Sequence, residues 1–219
     1  MYSMSTKPST PNEIIKACSP FTMTSDERKH QTIKSIQYIV ENQIIGDIIE
    51  IGVWRGGTVM IMLYQLMAMG VVDRHVHLYD TFQGMTEATD FDVDMHGNKA
   101  KDIFNSVKCE ASFEDVFKNI SSVGYPMEYV HFHKGDIRQV NIVDIPKQIA
   151  VLRLDNDWYE LYKFELPIFE PLVVSKGMVT IDDYNHWNGC KKAVDEYLAT
   201  IDKVELHIID NTGVYWVKL

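Results

Sequence analysis

Four aspartates fall in two short runs, LRLDNDWYE and TIDDYNHW, which put Asp155 and Asp157 after one apolar stretch and Asp182 and Asp183 after another. Read as strands of one sheet, those stretches bring all four acids to strand ends on a shared cleft. Carboxylates so gathered repel one another and rise in pKa, and a divalent cation removes that penalty. Oxygen donors without a histidine or thiolate repeat suit a hard ion, Mg2+. The competing reading makes one or two of them caps of the next helices. Adjacent Asp182 and Asp183 reach one ion only if the chain turns there, because neighbours in a strand point to opposite faces. Asp157, two residues beyond Asp155, falls on the same side of an extended backbone, where it can accept a proton.

A second chemistry is written upstream. EIGVWRGG sets Glu50 just before Gly52, with Gly56, Gly57 and Thr58 opening the next helix. Glycine at 52 permits a tight turn and close backbone approach, but neither the dinucleotide pattern GxGxxG nor a phosphate-binding Gly-Lys-Ser/Thr is present. An acid before such a turn suits a cationic ligand better than a pyrophosphate. LYDTF ends with Asp80, placed for ribose hydroxyls, and Phe82, placed to stack on a purine. HKGDI brings Asp136 and Ile137 to a third strand end, within reach of an adenine amine. Together these favour an adenosine-bearing ligand without phosphate, and S-adenosylmethionine fits better than NAD.

The elements that must position these residues alternate. Helical periodicity over 25–42 gives way to a strand at 47–51, a helix from Thr58 to Met69 and a strand at 75–80. Further strands are expected at 129–133, 150–154 and 178–181, with helices at 112–119, 160–169 and 189–200. Strands at 204–209 and 214–217 flank the turn at 210–213 as a terminal antiparallel hairpin. The stretch 81–101 reads as a long polar loop, of the kind that carries function. This order argues an α/β fold, a doubly wound sheet with helices on both faces. His75/His77 and His131/His133 read as surface or packed histidines rather than a metal pair, the methionines near 60 as core, and Arg153 as a paired buried arginine.

With 219 residues the chain suits one domain, here 20–219, with 20–45 as a lid and helix behind a flexible polar tail at 1–19. Its 21 basic and 31 acidic residues give a net charge of −10. Such a surface disfavours nucleic acid and anionic membranes, and no apolar run approaches a bilayer span. Three scattered cysteines, Cys18, Cys109 and Cys190, read as reduced thiols of a cytoplasmic protein.

On FTMTS, GDIIEIGVWRGG, LYDTFQGM, VHFHKGD, LRLDNDWYE, IDDYNHWNGCKKAVDEY and DNTGVYWVK, the sequence resembles the macrocin O-methyltransferase (TylF-type) family from about residue 19 almost to its C-terminus. The resemblance implies a Rossmann-like class I methyltransferase fold, its mostly parallel sheet closed by an antiparallel hairpin. It also implies dependence on S-adenosylmethionine and Mg2+, a sugar-type small-molecule acceptor methylated on a hydroxyl, and a homodimer. By the same likeness Asp155, Asp182 and Asp183 match the metal ligands and Asp157 the general base. Glu50, Gly52, Asp80 and Asp136 match cofactor contacts, and Thr24–Ser25 the lid; Gly56, Thr58, Phe82 and Ile137 join the cofactor set by their place beside these. Asn156 stands where glycine or threonine is common, and the run between the last helix and the hairpin is short, which bears on acceptor choice. Two other readings stay open: a Mg2+-dependent methyltransferase of catechols or phenols, and a metal-dependent hydrolase, which leaves the EIGVWRGG turn and Asp80 unexplained.

Overall fold

The computed structural model of the protein describes residues 7–219. Five parallel strands form its centre: β1 (Asp47–Ile51), β2 (Val76–Asp80), β3 (Val130–Lys134), β4 (Ile149–Leu154) and β5 (Val173–Ile181). With β6 (His207–Ile208) and β7 (Val214–Val217) they make a seven-stranded sheet in the order β3-β2-β1-β4-β5-β7-β6. β7 runs antiparallel to both its neighbours. The central strands are apolar on both faces, as strands covered by helices on each side must be: all six residues of β4 are buried.

Helices α1 (Pro11–Cys18), α2 (Asp26–Glu41), α3 (Gly57–Ala68), α4 (Ala100–Val107), α5 (Phe113–Val123), α6 (Tyr159–Phe169) and α7 (Asn188–Leu198) cover the sheet. One apolar cluster joins α1, α2, α3 and α5 to one face; the other joins α6 and α7 to the opposite face. Met60 and Met62 of α3 are core, as expected. The doubly wound architecture and the antiparallel hairpin stand as the sequence implied. The switch point lies between β1 and β4, where the strand order reverses.

Four local expectations change. The stretch read as a tail is helical from Pro11, because Thr10 and Glu13 form a capping box, Pro11 starts the helix, and Ile14, Ile15 and Cys18 are buried; residues 1–6 of that stretch lie outside the described residues. α4 emerges at the end of the expected loop, and β5 begins at Val173 rather than Met178. β6 keeps only two residues of the expected strand over 204–209.

The histidines gather on one face of the β2–β3 edge. His75 Nδ1 lies 2.7 Å from His131 Nε2, and His77 Nδ1 lies 3.0 Å from His133 Nε2. His77 Nε2 reaches Asp47 Oδ2 at 3.2 Å, and the Tyr79 ring stacks on His133 at 4.1 Å. Burial beside other imidazoles holds His133 down at about 4 and lowers His131, with Asp144 opposing for His133 and Asp47 for His131. Their unfolded pKa lies near 6.5, so the unfolded chain takes up protons first as pH falls. The pair is therefore expected to withdraw stability between about pH 6.5 and 4. Thermal melts across that range check it: His133→Gln should flatten the acid loss of melting temperature, and an unchanged slope would remove the histidines as its cause.

Candidate functional site

Beyond the carboxyl ends of β1, β2 and β4 opens a cleft of about 420 Å³. Its floor is the turn after β1. Gly52 adopts φ +83°, and a Cβ there would overlap the Asp155 carbonyl oxygen. Only glycine lets the β1 and β4 ends pass so closely. Asp80 fixes this turn: its Oδ2 accepts from the amides of Val53 (2.7 Å) and Trp54 (3.1 Å), and its Oδ1 from that of Phe82 (2.8 Å).

The carboxylates converge. Asp155, Asp182 and Asp183 each offer an oxygen within 4.8 Å of the others', and Asp157 lines the same cleft. β5 ends at Ile181 and the chain turns at once, which is how two adjacent aspartates reach one place. Asp157 arrives differently from the strand-alternation argument. β4 stops at Leu154, and Asp157 enters a left-handed turn at φ +62° that aims it inward. Aspartate tolerates this conformation better than most residues, and such strain concentrates at functional sites. Its Oδ1 accepts the Trp187 indole N–H at 2.8 Å. Burial and the neighbouring Asp155 push its pKa up, and burial with Asp157 and Asp155 does the same to Asp183.

Two arginines hold the cluster together. Glu50 and Arg153 are direct partners across β1 and β4, so the guanidinium lies under the strand ends. It donates to Glu50 (2.8 Å), to Asp155 Oδ2 (2.7 Å) and to Asp182 Oδ1. Arg153 is thus a paired buried arginine, as expected. Arg28, from the first turn of α2, reaches Asp182 Oδ2 and Asp210 Oδ2, the latter at 2.9 Å. Thr24 donates to Asp182 Oδ1 at 3.3 Å.

Thr24, Gly52, Thr58, Asp80, Asp136, Ile137, Asp155, Asp157, Asp182 and Asp183 all line the cleft, and four other expected contacts do not. Glu50 is fully buried, bonded to Thr58 and Arg153, so it anchors the arginine instead of facing a ligand. Phe82 packs into the core against Phe113 and Phe132. Ser25 caps α2 and bonds Asp210 at 2.5 Å, and Gly56 starts α3 with φ +86° against Ile120. Asp136 lines the cleft while its carboxylate is held by Arg138 at 2.9 Å. His186, Trp187 and, from the loop, Met85 and Thr86 are also among the cleft-lining residues. Sequence reasoning missed Arg28 and the Trp187–Asp157 bond. Both are contacts between distant elements; the only trace of Arg28 was its place beside FTMTS.

The cleft fits a hard cation on one observation: Asp183 Oδ2 is buried with no hydrogen-bond partner among the described residues. A buried carboxylate oxygen without a donor is costly, and a dication among oxygen donors offsets that cost. Arg28 and Arg153 pair with Glu50, Asp155, Asp182 and Asp210, and among the described residues neither bonds Asp157 or Asp183, so the cluster holds more carboxyls than its two guanidiniums can balance.

A family model described as Macrocin-O-methyltransferase (TylF) matches residues 16–218. The chain is 35% identical over 198 residues to demethyldecarbamoylnovobiocin O-methyltransferase of Streptomyces niveus, covering 90% of this chain and 75% of the relative. It is 32% identical to mycinamicin III 3''-O-methyltransferase of Micromonospora griseorubida, covering 89% and 77% respectively. Among solved structures, that of the O-methyltransferase NovP superposes with a TM-score of 0.80 at 34% identity, over 90% of this chain and 82% of that one.

Proposed function

Because the chain belongs to the macrocin-O-methyltransferase (TylF) family of O-methyltransferases, we propose that it methylates a hydroxyl of a sugar or glycosylated small molecule, with S-adenosylmethionine as donor and Mg2+ bound. The reading is carried by the buried Asp183 Oδ2, without a hydrogen-bond partner among the described residues, in a carboxylate trio beside the glycine turn. The acceptor class is supported by a further relative whose name gives a rhamnosyl substrate, 8-demethyl-8-(2,3-dimethoxy-alpha-L-rhamnosyl)-tetracenomycin-C 4'-O-methyltransferase of Streptomyces olivaceus, 32% identical over 195 residues.

When bound, S-adenosylmethionine supplies a methyl on a sulfonium, and Mg2+ supplies charge that lowers the pKa of a ligated hydroxyl. Thr24, Gly52, Thr58, Asp80, Asp136 and Ile137 would hold the donor; Asp80 Oδ2 is taken up by the Val53 and Trp54 amides, and Oδ1, which accepts the Phe82 amide, keeps a lone pair for a ribose hydroxyl. Asp155, Asp182 and Asp183 would hold the cation. Asp157 takes the acceptor's proton through the oxygen that Trp187 leaves free. Much of the acceleration comes from alignment of acceptor and donor, which a walled cleft enforces.

The test supplies methyl-labelled S-adenosylmethionine with a panel of glycosides and a panel of catechols. Label should pass to glycoside hydroxyls, stop on EDTA treatment and resume when Mg2+ is restored; Asp183→Asn should not resume. Transfer to catechols alone would defeat the sugar assignment, and full transfer in EDTA would defeat the metal assignment.

A further inference from the structure

The turn that carries Asp155 and Asp157 rests on a carboxyl that the reaction itself does not use. Glu165, in the middle of α6, is fully buried. Its Oε1 accepts from Asn156 Nδ2 at 2.5 Å, and its Oε2 has no partner among the described residues. Asn156 is the residue between the two aspartates, and its own carbonyl accepts the Trp158 amide at 2.6 Å. Its side-chain oxygen lies where a Cβ on Gly52 would reach, so Asn156 is clasped between the β1 turn and α6. We propose that Glu165 is a positioning residue for methyl transfer, holding Asn156 and through it the left-handed turn that aims Asp157 at the cleft.

The chemistry of the contact agrees. Burial pushes Glu165 up to about 8, with the Asn156 bond opposing and the charges of Asp136 and Asp155 adding to the rise, so the neutral carboxyl is favoured at pH 7. A neutral acid is closely mimicked by glutamine, which keeps the acceptor oxygen toward Asn156 and replaces the hydroxyl with an amide. Leucine fills similar space with no acceptor at all. If Glu165 mattered only for packing, leucine would serve as well as glutamine.

Two readouts separate positioning from mere stability. In 15N–1H spectra the Trp187 indole N–H, assigned with Trp187→Phe, reports the bond to Asp157 without any acceptor present. Asn156→Ala and Glu165→Leu should shift that resonance and speed its exchange with solvent, while the signal of Trp216, buried on β7, stays in place and Glu165→Gln leaves both unchanged. In steady state, kcat should fall by about 10²-fold in Asn156→Ala and Glu165→Leu, with KM for S-adenosylmethionine within about twofold, and Glu165→Gln should restore kcat. The kinetic arm rests on the proposed reaction and the spectroscopic arm does not, so failure of that reaction leaves the spectra to decide. An unmoved Trp187 signal in Asn156→Ala, which spares the α6 core should Glu165→Leu fail to fold, would overturn the proposal. So would glutamine behaving like leucine.

Discussion

Asp157→Asn should lose methyl transfer by roughly 10²–10⁴-fold, the usual contribution of a positioned base, while binding S-adenosylhomocysteine and Mg2+ as the parent does. The substitution is nearly isosteric. It keeps an oxygen for the Trp187 indole N–H, which lies 2.8 Å from Asp157 Oδ1, and asparagine is also at home at φ +62°. What it removes is the proton acceptor proposed above. Because burial and Asp155 raise the pKa of Asp157, the ionised base gains population as pH rises. Activity of the parent should therefore climb with pH, and the residual activity of Asp157→Asn should lack that climb. Calorimetry with S-adenosylhomocysteine and a pH–rate profile on the same preparations make the check. Full turnover in the variant would move the base elsewhere.

Gly52→Ala should disable the site from its floor. A Cβ at 52 meets the Asp155 carbonyl and the Asn156 side chain, and φ +83° adds strain for any residue but glycine. Either β1 and β4 part at their ends, or the Asp155–Asp157 turn moves; both displace the carboxylates by an appreciable fraction of an ångström. Binding of S-adenosylhomocysteine is expected to weaken by at least about tenfold, with turnover falling by about 10²-fold. Gly70→Ala is the control. It shares the left-handed conformation at φ +76° with no heavy atom within 4 Å, so it carries strain of about 1 kcal/mol and no collision. Equal loss in both variants would show that backbone strain, and not the crossing of the two strand ends, is what position 52 avoids.

Much of this was legible because sheets translate sequence position into spatial position. Parallel strands separated by helices send every strand end to the same rim, so acids at the ends of LRLDND and TIDD were bound to meet. The acidic quartet and the glycine turn could thus be located from residue order alone. What escaped was set by side-chain reach. Glu50 and Asp155 are both acids at strand ends, yet Arg153 draws the first wholly into the interior and leaves the second at the cleft. Phe82 lies two residues past Asp80, but a backbone turn at φ +51° sends its ring to the core. Asp157 reaches the cleft for a reason alternation does not supply, a left-handed backbone at φ +62°. The helix at Pro11–Cys18 was hidden because two prolines and a polar run mask an apolar face of only three buried residues.

The Arg28–Asp182 and Ser25–Asp210 contacts tie together stretches some 150 to 185 positions apart in the chain. During synthesis, the segment around Thr24 leaves the ribosome long before the turn at Asp210 exists. Until that turn arrives, Arg28 lacks one of its two acidic partners and the rim near Asp182 lacks a wall. The site near Asp182 is thus completed only with the closing hairpin, and chains that end after β5 are expected to be inert.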